Sequence, residues 1–246
     1  MVHRPVTLVL AHRGSRLWNS ENTISAFAQA VPEGADGVEL DVQVTADDAL
    51  VVCHDTATVA GAVADLTLGE LRRVLPEAPV LGDCLAVLAD RLVNVEVKHE
   101  PAEFLGPGDD AGARVVGLLA ALLEERRAAG LRDRVVVSSF DLRVVDRARA
   151  ELPGLETAFL ATFGLDPLDA LALAADRGHR GLHPDVRTLG GDVAGRLVER
   201  AHGLDLAVRP WTVDDPAELA RLGALGVDAV ISDDPVAARA VLSADG

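Results

Sequence analysis

Short β-branched runs alternate with longer stretches of helical periodicity from one end of the chain to the other. Strands are predicted at 6–11, 37–44, 50–54, 92–98, 134–139, 156–161, 180–183, 206–213 and 228–232. Helices are predicted at 22–31, 67–75, 82–90, 111–129, 142–151, 167–177, 191–202, 216–225 and 235–243. In the fourth helix, Val115, Val116, Leu118, Leu119, Leu122 and Leu123 make one apolar stripe at helical spacing. Turn residues such as Pro32-Glu33-Gly34, Pro153-Gly154, Gly190-Gly191 and Asp214-Asp215-Pro216 separate the elements. Alternation of this kind means βαβ units and a parallel sheet. About eight such units predict an α/β fold, a (β/α)8 TIM barrel in a single domain over residues 1–246, rather than an open doubly wound sheet. The first strand runs into His12-Arg13-Gly14 instead of a Gly-x-Gly-x-x-Gly turn, so no dinucleotide site is expected there.

Within this pattern, ionisable residues stand where strands should be. Alternate strand residues share a face, so Glu39 faces with Asp41, and Glu96 with Lys98. The residues between them, Val38, Leu40, Val42, Val95 and Val97, are apolar and suited to packing under helices. Three carboxylates and one ammonium leave the inward face at minus two, an expensive arrangement when half-buried unless something neutralises it. One divalent cation, Mg2+ or Ca2+, is the simplest remedy, because hard cations take carboxylate oxygens. His12 and His54 close two such runs and Arg13 lies alongside, which points to phosphate chemistry.

Composition narrows the partner. Apolar residues make up 49% and charged residues 25%, enough for a large core and against disorder. With 23 basic against 39 acidic residues the net charge is −16, which argues against nucleic acid or an anionic membrane surface. A phosphate-bearing small molecule must then be drawn in by a local positive site. The run 6–11 is too short for a signal segment, and no apolar stretch is long enough to span a bilayer. The expectation is a cytoplasmic protein without stable membrane association. Cys53 and Cys84 lie in apolar surroundings and should pack as small hydrophobes. The Pro, Gly and Asp residues between Glu100 and Gly112 mark a rim loop that is either a flexible connection or a lid.

The motifs also carry a family resemblance. Ala11-His12-Arg13-Gly14 followed by Glu21-Asn22-Thr23 and Ala26-Phe27 resembles the opening of a glycerophosphodiester phosphodiesterase. The likeness continues through 34–42, Thr45, Asp47, Val51-Val52-Cys53-His54-Asp55, Leu66-Thr67-Leu68 with Glu70-Leu71, and Glu96-Val97-Lys98. It ends with Trp211-Thr212-Val213, Gly226-Val227-Asp228 and Ser232-Asp233-Asp234-Pro235. The resemblance implies a (β/α)8 barrel and metal-assisted hydrolysis of a small-molecule glycerophosphodiester to glycerol 3-phosphate and an alcohol. It implies that Glu39, Asp41 and Glu96 bind the metal, that His12 and His54 are the general acid/base pair, and that Arg13 and Lys98 hold phosphate. Trp211 is a candidate wall of the substrate pocket, equally suited to core packing. Glu21 is expected to orient Arg13.

Three departures stand out. Ser20 replaces the family's usual Pro, Asp214 its usual Asn, and the stretch from Asp55 to Ala64 is shorter than usual, which predicts an open pocket mouth. Two rivals remain. A phospholipase D-like barrel acting on lysophospholipids should carry an aromatic rim, and aromatics are only 3% of this chain, with no Tyr. A catalytically inactive phosphometabolite-binding barrel should have lost a site residue, and none is missing. The remaining histidines read as bland: His183 as structural, His3, His99, His179 and His202 as solvated. The turn 232–235 reads as the cap of the last helix, its acidity setting the phosphate near strands 1 to 3. The leaving alcohol, the choice between water attack and a cyclic phosphate, and the oligomeric state are all open.

Overall fold

The computed structural model describes residues 6–98 and 111–244. Its strands are β1 (Leu8–His12), β2 (Gly37–Val44), β3 (Leu50–Val52), β4 (Ala57–Thr58), β5 (Gly61–Ala62), β6 (Leu92–Val97), β7 (Arg134–Ser139), β8 (Glu156–Ala161), β9 (Gly181–Pro184), β10 (Ala207–Val208) and β11 (Ala229–Ser232). Its helices are α1 (Ile24–Ala30), α2 (Leu68–Val74), α3 (Leu81–Leu88), α4 (Ala111–Ala128), α5 (Leu142–Glu151), α6 (Pro167–Asp176), α7 (Val193–Gly203), α8 (Pro216–Leu225) and α9 (Pro235–Ala244). Eight parallel strands pair in the order β10-β9-β8-β7-β6-β2-β1-β11. The seam between β10 and β11 is bridged by backbone bonds from Asp228 N–H to Val208 O, Ile231 N–H to Pro210 O, and Val213 N–H to Ile231 O. The result is a nearly closed (β/α)8 barrel, as the alternation predicts.

Two strands depart from the expected bounds. Residues 50–54 do not add a wall strand: β3 folds back antiparallel on β2, with Val42 opposite Val52 and Val44 opposite Leu50. Only Thr45 to Ala49 joins them, far too little chain for the crossover that parallel pairing needs. The segment 206–213 shrinks to Ala207–Val208 because Pro210 has no N–H to give to a ladder.

Packing follows the period of two. Val38, Leu40, Val42, Val95 and Val97 point outward into one cluster with Phe27 of α1, Leu81, Leu85 and Leu88 of α3, and Leu119 of α4. Leu10, Leu92, Val136, Ala158, Ala229 and Ile231 fill the lower interior. Gly37 is required at the start of β2, since a Cβ there would lie 2.0 Å from the Leu92 carbonyl oxygen. Thr23 caps α1 through the Ala26 N–H, and Thr67 with Glu70 forms a capping box on α2. Asp234 accepts from the Ala237 N–H at 2.9 Å and so caps α9, as expected of its turn.

Cys53 and Cys84 are buried and free. His202 is exposed, but His179 is not solvated: it is buried between the Thr157 hydroxyl at 3.0 Å and Asp146 at 3.2 Å. His3, His99 and the proposed lid lie outside the described residues, apart from Ala111 and Gly112, which open α4. Among the described residues no helix is long and apolar enough to cross a membrane.

Candidate active site

The register of β1, β2 and β6 builds the site. His12 pairs with Glu39, and Asp41 with Glu96, so side chains of one parity on three adjacent strands converge at the C-terminal mouth of the barrel. One carboxylate oxygen from each of Glu39, Asp41 and Glu96 lies within 4.8 Å of the others, and all three residues are buried. Lys98 bridges two of them, with Nζ 2.7 Å from Glu96 and 3.1 Å from Asp41. Arg13 Nε approaches Asp41 at 3.2 Å while its NH1 donates to Glu21 at 2.8 Å, the orienting pair expected from sequence. Arg13 also sits in the left-handed region at φ 57°, and its backbone N–H donates to the Glu39 carboxylate at 3.2 Å. Asn22, left-handed as well, donates to Asp41 at 2.8 Å.

These contacts divide the carboxylates. Burial, with Asp41 and Glu96 close by, pushes the Glu39 carboxyl well above its usual range. Burial and Asp41 raise Glu96 too, with Lys98 opposing them. Burial also works against Asp41, but Lys98, Arg13 and the Asn22 bond hold it below its ordinary value. Lys98 is half-buried, which works to lower it, yet Glu96 and Asp41 hold its ammonium above its ordinary value. Glu39 Oε1 is buried without a hydrogen-bond partner, and the Lys98 ammonium is the neighbour of Asp41 Oδ1. Three hard oxygen donors, one carrying an unpartnered buried oxygen, fit a divalent cation.

The two histidines flank this triad. His12 Nδ1 lies 2.6 Å from Asp233 Oδ1, and His12 Nε2 lies 3.8 Å from Glu39. His54, two residues past β3, meets Asp55 through Nδ1 at 2.8 Å. Each imidazole is thus anchored at Nδ1 by an aspartate, which turns the Nε2 of His12 toward Glu39. A cleft of about 500 Å³ opens beside His54, lined also by Glu21, Asn22, Cys53, Asp55 and Pro76. A larger cleft, about 750 Å³, lies at the opposite end of the barrel among Arg149, Glu156, Arg180 and Asp228. Trp211 is half-buried on the far rim, donating Nε1–H to the His183 carbonyl at 2.9 Å and meeting Phe140 edge-on at 5.5 Å.

Two side chains that line the site, Asp233 and Arg16, were not legible in the sequence. Asp233 looked like part of a helix cap, but Asp234 caps and Asp233 turns to His12. The available signal was an acidic residue closing the strand that pairs with β1, where Ala11 lies opposite Ser232. Arg16 gave no signal at all. It spans Asp233 at 2.7 Å and Glu21 at 2.9 Å, linking His12 to Arg13 through charges. Asp214, the departure from the family's Asn, accepts from the Asp233 N–H and the Ser232 hydroxyl, both at 2.8 Å, and so fixes that loop.

Residues 12–237 match the Glycerophosphoryl diester phosphodiesterase family. The chain belongs to that family. A glycerophosphodiester phosphodiesterase from Caldanaerobacter subterraneus subsp. tengcongensis is 32% identical over 247 residues, covering 93% of this chain and 95% of the relative. A solved structure from Silicibacter pomeroyi DSS-3, which bears the family's name provisionally, superposes with a TM-score of 0.84 at 27% identity, covering 99% of this chain and 95% of that one. An Oleispira antarctica phosphodiesterase, solved with the product sn-glycerol-3-phosphate, shares the fold with a TM-score of 0.80 at 21% identity, covering 97% of each chain.

Proposed function

We propose that this member of the family hydrolyses glycerophosphodiesters to glycerol 3-phosphate and an alcohol. The observation that carries the proposal is the pair of Nδ1-anchored histidines flanking three buried carboxylates. Glu39, Asp41 and Glu96 would hold one divalent cation, Mg2+ or Ca2+, which when bound supplies charge stabilisation on the phosphoryl oxygens. Arg13 and Lys98 hold the phosphate by charge. Asp233 accepts a hydrogen bond from the Nδ1–H of His12, so the neutral ring keeps its proton there and offers the Nε2 lone pair as a base. Asp55 does the same for His54, and a protonated Nε2 there donates to the leaving alkoxide, or the two rings exchange these roles. Separate strand ends let the rings address a phosphoryl group from two sides, as in-line displacement requires. Trp211 and Phe140 form an apolar wall against the substrate's carbon skeleton.

The test is turnover of a glycerophosphodiester panel with and without chelator. Chelator-sensitive release of glycerol 3-phosphate is the expected result. Release of no alcohol from any member would overturn the proposal.

One observation favours a second substrate class. Aromatic content is low, but among the six described aromatics Trp18, Phe140, Phe163 and Trp211 all sit on the rim, with Trp18 83% and Phe163 61% exposed. Such a rim suits a single-chain lysophospholipid, whose acyl chain would lie along it. Faster turnover of lysophosphatidylcholine than of glycerophosphocholine would support that class.

A further inference from the structure

Among the apolar side chains that fill the barrel interior below Asp41 and Glu96 stand several polar ones, and some of their atoms lack protein partners. Four side chains from alternate strands share a level in an eight-stranded barrel. Following the register, Glu39, Ser138, His183 and Ile231 occupy one level, and Leu10, Asn94, Ala158 and Arg209 the level below. Ser138 neighbours Glu96 in register and Asn94 neighbours Glu39. Asn94, Ser138 and His183 are completely buried.

Both side-chain polar atoms of Asn94, the Ser138 hydroxyl and His183 Nδ1 have no hydrogen-bond partner, and Glu39 Oε1 on the same level has none either. An Arg209 N–H faces His183 Nε2 at 3.3 Å, so Nε2 accepts and Nδ1 carries the proton. Three donors, the Asn94 amide, the Ser138 hydroxyl and His183 Nδ1–H, thus share two adjacent levels with one unpartnered carboxylate oxygen. A buried polar atom left unsatisfied is costly. Four such side chains on two adjacent levels meet the requirement of a buried water for two to four polar partners.

We propose that Asn94, Ser138 and His183 form a polar floor that binds ordered water beside and beneath Glu39 and holds the Glu39 and Glu96 carboxylates in their cation-binding orientation. The three are positioning residues and touch neither substrate nor phosphate. Their replacement by apolar side chains removes buried polar groups together with the water they hold, which is near neutral for stability, while releasing the carboxylates, so stability and cation affinity move apart. A merely structural role would move both together.

The inference rests on the assignment of Glu39, Asp41 and Glu96 as the cation site. Its test is calorimetric titration of Mg2+ and of Ca2+ into chelator-stripped full-length protein, paired with thermal melts of the metal-free forms. Ser138→Ala and Asn94→Leu should each weaken the tighter-binding cation by about 10–100-fold. Their metal-free melting temperatures should be unchanged or raised. Equal cation affinity in wild type and Ser138→Ala would overturn the inference, and so would a loss of affinity matched by a lowered metal-free melting temperature in both variants. Failure of the wild-type protein to bind either cation would overturn the cation site itself, and the floor with it. Ser138→Ala removes a single oxygen, which keeps the test decisive should Asn94→Leu not fold.

Discussion

Asp233 meets His12 Nδ1 at 2.6 Å across the closure of the barrel, from the last strand to the first. That contact fixes the imidazole tautomer, and Arg16 at 2.7 Å together with the Asp214 carboxylate holds Asp233 in turn. Burial works to raise the Asp233 carboxyl, but the His12 hydrogen bond and the Arg16 guanidinium hold it below its ordinary value, so it stays an acceptor. Asp233→Asn keeps the shape and removes the charge. It should lower kcat by about 10²-fold, with little change in KM, since general acid–base groups supply ~10²–10⁴. Steady-state kinetics on glycerophosphocholine decides this. A normal kcat would show that Asp233 is only a loop anchor.

Replacing His12 or His54 by Ala should each cost on the order of 10²–10⁴ in kcat. The two should differ on a nitrophenyl phosphodiester, whose leaving group departs without a proton. The variant lacking the acid recovers on that substrate, and the variant lacking the base does not. Equal losses on both substrates would point to a shared part in holding phosphate.

The fold was readable because each apolar run has one period, and because the βα alternation leaves few topologies open. The triad was readable for the same reason: Glu39, Asp41, Glu96 and Lys98 interrupt runs in which every other position is apolar. What was not readable depended on pairing across the chain. Asp233 and His12 are 221 residues apart, and only the β1–β11 register brings them together. His179 looked solvated because its partners Thr157 and Asp146 lie on other elements. The strand at 50–54 looked like a wall strand because composition does not distinguish a backfolded hairpin from a crossover. Asn94 and Ser138 read as ordinary strand residues, since their parity matters only once the barrel has an inside.

Stability should respond to pH through the triad. The Glu39 and Glu96 carboxyls lie above their ordinary value of 4.5 in the folded, metal-free chain. A carboxyl raised by folding contributes stability that is present below 4.5 and lost as pH rises through its shifted value. Asp41 has the opposite sign, its contribution being present above 3.8 and lost as pH falls through its lowered value. The metal-free protein should therefore lose stability on going upward from pH 4.5, and Glu39→Gln should flatten that slope. Millimolar Mg2+ or Ca2+ should restore stability in the wild type but not in Glu39→Gln. Thermal melts across pH with and without chelator test both statements, and a slope unaffected by Glu39→Gln would place its origin elsewhere.

The leaving alcohol should be weakly discriminated. The short stretch after His54 forms only the β4–β5 hairpin, whose tip residue Val59 is 98% exposed and contributes no wall. His54 itself opens onto the cleft of about 500 Å³, whose other lining residues are mostly small or polar. Discrimination between alcohols needs contacts that one alcohol satisfies and another leaves unpaired, and a wide mouth supplies few of them. Glycerophosphodiesters of choline, ethanolamine and glycerol should then differ by no more than about tenfold in kcat/KM, or ~1.4 kcal/mol of transition-state binding. Lengthening the hairpin tip by a few residues should widen that spread, and deleting it down to a tight turn should leave it unchanged. A preference of several hundredfold in the unaltered chain would mean that another part of the rim, with Trp211 and Phe140 the first to replace, shapes the pocket.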